Sequence, residues 1–224
     1  IASSGAHFSN AYSASTICAP ARAGLLTGRY PDRFAFRVNP TTDPAVRAGL
    51  PADEETTGEL LQRAGYSTFF VGKWHMGSHE SFHPLRRGFG GFYGFLTGGH
   101  RYLTSELTLE SLDEVVAPQD WYRTLLWSDD RVQRNYTHEF LTPELTAAAL
   151  GFIHESAPIA STAPFFLHVA YNVPHSPRLA SPAYRERFAH VENVWRREYC
   201  AVVAMMDDGI GELTGALREH GLAN

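Results

Sequence analysis

Two short apolar runs constrain this chain more than any other feature: Ser67-Thr-Phe-Phe-Val-Gly-Lys-Trp74 and Pro164-Phe-Phe-Leu-His-Val-Ala-Tyr171. The first is aromatic and β-branched and reads as a buried strand ending near Gly72; the second is an apolar run of strand length. Helical patterns surround them. Residues 19–26 suit a helix with Pro20 in the first turn, where a missing N–H costs nothing, and Gly28 as its stop. Residues 51–64 carry acids in a first turn and precede Gly65. Thr142-Pro143 is an N-cap and N1 pair opening a helix through His154. Residues 193–220 hold the strongest pattern: Tyr199, Val202, Met206, Ile210, Leu213 and Leu217 recur every three or four residues, with Gly209 and Gly211 weakening the helix locally. Residues 79–99 read as loops, and residues 102–139 as a short hairpin or irregular excursion. Helices alternating with single buried strands predict an α/β fold with a largely parallel sheet.

Composition narrows the function classes. An apolar content of 44% supplies a sizeable core, and 12% aromatics argues against disorder. The formal charge of −5, with no Lys/Arg run, excludes a nucleic-acid patch, and no apolar run is long enough to span a membrane. Two cysteines far apart make neither a disulfide framework nor a zinc site. The first residues, Ile1-Ala-Ser-Ser-Gly5, and the last, Gly221-Leu-Ala-Asn224, read as cuts through a larger fold.

In such folds ligands collect at the carboxyl ends of the strands. Both runs lead into His-bearing turns, Gly72-Lys-Trp-His75 and Asn172-Val-Pro-His175. Lys73 and His75 point the same way if the strand continues, because side chains alternate. That pairs a compact cation with a proton carrier, although Lys and His are also common where a strand turns into solvent. His175 stands between Pro174 and Ser176-Pro177, in a stiff turn. Cys18 begins the first helical pattern, and Arg22 follows one turn later on the same face. A buried structural thiol is the bland reading. The helix N-terminus, the arginine and the small flanking residues make an anion-binding corner with a reactive atom in it. Cys200 has no such context and reads as core; Asp207-Asp208 reads as helix surface. Trp121, Tyr122 and Trp127 form either a sugar-stacking wall or part of the core.

Three stretches carry a family resemblance. Cys18-Ala-Pro-Ala-Arg22, followed by Leu26-Thr-Gly28, resembles the first signature of the sulfatases, Cys-x-Pro-x-Arg with Leu-Thr-Gly. Gly65-Tyr-Ser-Thr-Phe-Phe-Val-Gly-Lys-Trp-His-Met-Gly77 resembles their second signature, and Pro174-His-Ser-Pro177 a third turn of that family. Ala21 stands where the motif often has Ser.

The resemblance implies an alkaline-phosphatase-like α/β fold, with residues 1–224 a partial, incomplete catalytic domain. It implies that a maturation enzyme oxidises Cys18 to formylglycine, whose hydrate attacks a sulfate ester. By the same resemblance Arg22 holds the gem-diol, Lys73 neutralises a sulfate oxygen, His75 takes the proton that triggers elimination, and His175 protonates the leaving oxygen with a pKa near neutrality. His100, in Gly98-Gly-His-Arg101, becomes a substrate contact. A hard cation, Ca²⁺ or else Mg²⁺, is implied, with position 18 as its one ligand in this chain and the Asp and Asn ligands outside it. The segment alone is then expected to be inactive. The implied substrate is a sulfated carbohydrate or aryl sulfate; the implied location is periplasmic, secreted or lysosomal. The alternatives are a phosphate or phosphonate monoester hydrolase of the same superfamily, and a non-catalytic scaffold.

Overall fold

The computed structural model describes residues 3, 5–106, 126–133 and 135–223. Trp121 and Tyr122 lie outside the described residues. Trp127 packs against the core, its ring 5.8 Å from that of His83.

Local chemistry sets the helix ends. Helix α1 (Cys18–Thr27) starts at the cysteine and stops at Gly28, whose φ of 66° lets its N–H return to the Gly24 carbonyl. Helix α2 (Thr57–Arg63) starts later than residue 51. Thr56 accepts from the Glu59 N–H at 3.1 Å and donates its own N–H to the Glu59 carboxylate at 2.7 Å. That reciprocal pair selects Thr56 as the cap, leaving residues 51–55 in turns.

The two expected strands are parallel neighbours. Strand β1 (Ser67–Lys73) pairs with Phe165–Ala170, in register from Ser67↔Phe165 to Gly72↔Ala170. A further parallel strand, β2 (Gly91–Phe95), lies in the stretch expected to be loops, which corrects that reading. Its glycines disguised it. A Cβ on Gly94 would stand 2.0 Å from the Gly72 carbonyl oxygen, and one on Gly91 would stand 2.4 Å from the Phe69 ring. Glycine here serves close approach rather than a turn. The excursion does contain a hairpin, β3 (Trp127–Ser128) and β4 (Arg131–Val132), which adds an antiparallel edge to β2.

Helix α3 (Leu141–Ser156) leads to the strand at Phe165–Ala170, here β5, and then come α4 (Pro182–Arg187) and α5 (Val194–Glu219). The sheet order is β4-β3-β2-β1-β5. The architecture is therefore α/β, with a mostly parallel sheet between helices. One face buries Phe70, Trp74 and Phe92 against Ala19, Ala23 and Leu26 of α1. The other buries Val71, Tyr93 and Phe95 against α3 and α5. Gly209 allows α5 to cross α3 closely, because a Cβ there would lie 2.6 Å from Thr146 Oγ1. Asp207 is exposed, and Asp208 accepts from Arg187 and Tyr184 on the helix surface. Cys200 is half-buried rather than core.

Candidate active site

The carboxyl ends of β1 and β5 finish side by side, and α1 is tied onto them. Arg22 Nη1 donates to the Lys73 carbonyl oxygen at 2.7 Å. The side chain of Asn39 accepts from the Ala19 N–H at 3.0 Å, which fixes the first turn of α1 beside Cys18. Nothing in the sequence pattern singled out Asn39.

Lys73 is buried, and its Nζ donates to the Gly98 carbonyl oxygen. Burial, then the nearby Arg22 charge, pulls its pKa down to about 8. Arg22 falls to about 10 through burial, opposed by Cys18.

His75 is brought to the site by a different route from strand alternation. Lys73 is the last residue of β1. Trp74 and His75 still donate their N–H groups to Phe95 and Leu96, and His75 then adopts φ 60°. A Cβ on Gly98 would stand 2.6 Å from its Nε2, so the imidazole lies directly against that glycine. Nδ1 is buried with no hydrogen-bond partner among the described residues. Burial, followed by Lys73, Arg22 and His175, lowers the His75 pKa to about 3.

The turn after β5 is braced from several sides. The His175 N–H donates to the Asn172 carbonyl at 2.9 Å, Tyr102 donates its hydroxyl to the His175 carbonyl at 2.9 Å, and Arg178 Nε donates to Pro174 O at 2.9 Å. Burial lowers the His175 pKa, and Lys73, Arg22 and Arg178 add to this against a hydrogen bond to Ser176. These effects together place the His175 pKa below the ordinary imidazole value.

Cys18, Arg22, Lys73, His168, Asn172 and His175 share the wall of a cavity of about 1050 Å³ that follows the outer edge of β5 from α1 to α5. His75 lies beside this group, within the electrostatic reach of Lys73, Arg22 and His175. His100 is not on the wall. It is 2% exposed and packs edge-on against Phe95 at 4.8 Å.

His168 and Asn172 were not singled out in the sequence. Alternation along β5 was the available signal, since Phe166 and Ala170 pack on the α1 side of the sheet and His168 and Asn172 share their phase. The His168 ring stacks on Phe70 at 4.8 Å, and burial, then Arg22, lowers its pKa to about 4.

Among the described residues the cavity wall carries Arg22 and Lys73 and no carboxylate. Such a wall suits an anion, held by charge-assisted hydrogen bonds in a partly desolvated setting. It does not fit a hard cation. Ca²⁺ takes about six to eight oxygen ligands, and among the described residues no three His, Cys, Asp or Glu side chains gather to hold a metal.

The sulfatase family model matches residues 1–224. The chain is 31% identical to N-acetylgalactosamine-6-sulfatase of Mus musculus over 100% of its own length and 42% of that protein. It is also 31% identical to arylsulfatase J of Mus musculus, over 100% of its length and 36% of that protein. Among solved structures, Ps i-CgsB in complex with k-i-k-neocarrahexaose superposes with a TM-score of 0.85 at 32% identity, over 94% of this chain and 46% of that one. The chain thus spans less than half the length of these relatives.

Proposed function

We propose, from the premise that this chain belongs to the sulfatase family, that the polypeptide carrying it hydrolyses sulfate esters at the cavity beside Cys18. The observation that supports this reading is the position of Cys18 itself. It is the first residue of α1, and it shares a cavity wall with Arg22, Lys73 and His175.

In this reading a maturation enzyme converts the Cys18 side chain to an aldehyde, formylglycine, which hydrates to a gem-diol. One hydroxyl oxygen attacks sulfur and releases its proton to solvent, an S–O bond forms, and the ester S–O bond breaks. The leaving alkoxide takes a proton from His175 once the bound anion has raised the basicity of that imidazole. The second hydroxyl then gives its proton to His75, the C=O bond re-forms, and sulfate departs with the electrons of the C–O bond. Arg22 and Lys73 stabilise the negative charge on oxygen throughout. A His75 with a pKa of about 3 is a weak base in the free site. An anion opposite Arg22 and Lys73 offsets two of the charges that, after burial, depress it.

The cation implied by the resemblance, Ca²⁺ or Mg²⁺, would take position 18 as its one ligand in this chain and its Asp and Asn ligands from outside residues 1–224. The substrate class is a sulfated carbohydrate or aryl sulfate. Support comes from the relatives, which include an N-acetylgalactosamine-6-sulfatase and a protein crystallised in complex with k-i-k-neocarrahexaose. The setting is periplasmic, secreted or lysosomal; among the described residues no helix is long and apolar enough to cross a membrane.

The test is mass spectrometry of the Cys18 peptide from protein made in its own host, together with rates on matched aryl sulfate and aryl phosphate. Aldehyde at position 18 and preference for the sulfate ester are expected. An unmodified thiol, or preference for phosphate, overturns the proposal.

A further inference from the structure

Asn172 is buried at the mouth of the turn that carries His175, and neither its Oδ1 nor its Nδ2 has a hydrogen-bond partner among the described residues. A buried carboxamide left in this state is unfavourable, because both ends lose water without replacement. Buried polar groups are paired as a rule, so an orphan at a cavity wall points to a missing partner. The side chain is not needed to build the turn. The His175 N–H bonds to the backbone carbonyl of Asn172, which any residue supplies.

The position narrows what the partner is. The β1–β5 register ends at Gly72↔Ala170. Carried two residues further, it sets Asn172 alongside Trp74, between Lys73 and His75 in sequence. Asn172 lines the same cavity as Cys18, Arg22, Lys73 and His175. A carboxamide offers two donors and an acceptor without adding charge. Beside Arg22 and Lys73, a neutral donor complements a singly charged ester such as a sulfate monoester.

We propose that Asn172 is a further substrate-binding residue, its Nδ2 donating to an oxygen of the anion that Arg22 and Lys73 attract. This deepens the reading given under Proposed function and rests on it for the identity of the anion. The orphaned carboxamide and the cationic wall call for an oxyanion of some kind in any case.

The probe is inorganic sulfate, titrated calorimetrically into the full-length polypeptide and its Asn172→Leu and Asn172→Ser variants, with thermal unfolding followed in parallel. Leu matches Asn in size and removes both polar ends. If the carboxamide serves only a ligand, Asn172→Leu melts at or above the temperature of the wild type while sulfate binding weakens about 10- to 100-fold, the worth of a hydrogen bond to a charged group. Unchanged sulfate affinity in both variants overturns the proposal. So does a failure of both variants to fold, which would give Asn172 a structural partner, and so does a wild-type protein that does not bind sulfate. Sulfate binding that depends on Asn172 in a protein with an unmodified Cys18 and no sulfatase activity would overturn the proposed function and leave this inference standing.

Discussion

Arg22 Nη1 donates to the backbone carbonyl oxygen of Lys73 across 2.7 Å, joining the helix that begins at Cys18 to the last residue of β1. The contact spans 51 positions of sequence, and it makes the placing of the nucleophile and the placing of the lysine a single event. A guanidinium can do this while keeping other N–H donors for an anion; an ammonium cannot present the same fork.

Replacing Arg22 therefore affects stability and activity together. Arg22→Ala is expected to lower unfolding free energy by about 1.5–3 kcal/mol, the range for a hydrogen bond from a charged group. Its kcat on an aryl sulfate should fall by about 100-fold or more, as when a charge-stabilising donor is removed. Denaturant unfolding and steady-state kinetics on the full-length polypeptide check both. Retained stability with lost activity would show that the tie to Lys73 carries little weight.

Lys73 separates stability from activity as pH rises. Its folded-state pKa of about 8 lies below the ordinary lysine value of 10.5, so the folded chain releases this proton before the unfolded chain does. Between those values the unfolded state binds more protons, and the contribution of Lys73 to stability increases with pH. Activity should move the other way, since the neutral amine no longer stabilises an anion. A pH series of kcat/KM and of unfolding midpoints tests this, with Lys73→Met expected to abolish the alkaline rise in stability.

The histidines give a slope of the same sign at the acid end. His75, His83 and His168 are lowered from 6.5 to about 3, 4 and 4, chiefly by burial. As pH falls below 6.5 the unfolded chain takes up protons that the folded chain refuses, so stability declines toward pH 4. His168→Phe, which keeps the stack on Phe70, should reduce that decline by close to one proton's worth of slope. An unchanged acid profile in that variant would refute the assignment of His168 as a buried neutral imidazole.

Gly98→Ala is expected to harm catalysis more than folding. The added methyl would stand 2.6 Å from His75 Nε2 and 2.7 Å from its Cε1, and the same residue's carbonyl accepts from Lys73. The ring must shift, and misplacing a reacting group by about 1 Å costs on the order of 100-fold in rate. Kinetics beside a melting curve will show whether the loss is confined to kcat. If kcat is unaffected, His75 has no positional role at this loop.

Much of the fold was legible because it is written in local chemistry. The apolar runs marked β1 and β5, and Cys18 to Gly28 marked α1 with its stop. Strand β2 was not legible. Glycines at 91 and 94 read as loop, and only the neighbouring strand explains them, through clashes that any side chain would make with Phe69 and Gly72. The capping box at Thr56 was present in the sequence as Thr-x-x-Glu, but the acids before it suggested an earlier start.

The sequence by itself determined which residues bear chemistry, Cys18, Arg22, Lys73, His75 and His175, and that two of them stand at a strand's end. Only the tertiary structure decided that four of the five share one cavity wall, that His75 arrives there through a left-handed backbone against Gly98, and that His100 packs against Phe95 instead. It also decided the lowered pKa values of the histidines and Lys73, and the orphaned carboxamide of Asn172. The physical reason is range. Periodicity and capping depend on residues a few positions apart, whereas register, desolvation and the mutual repulsion of cations depend on groups brought together from across the chain.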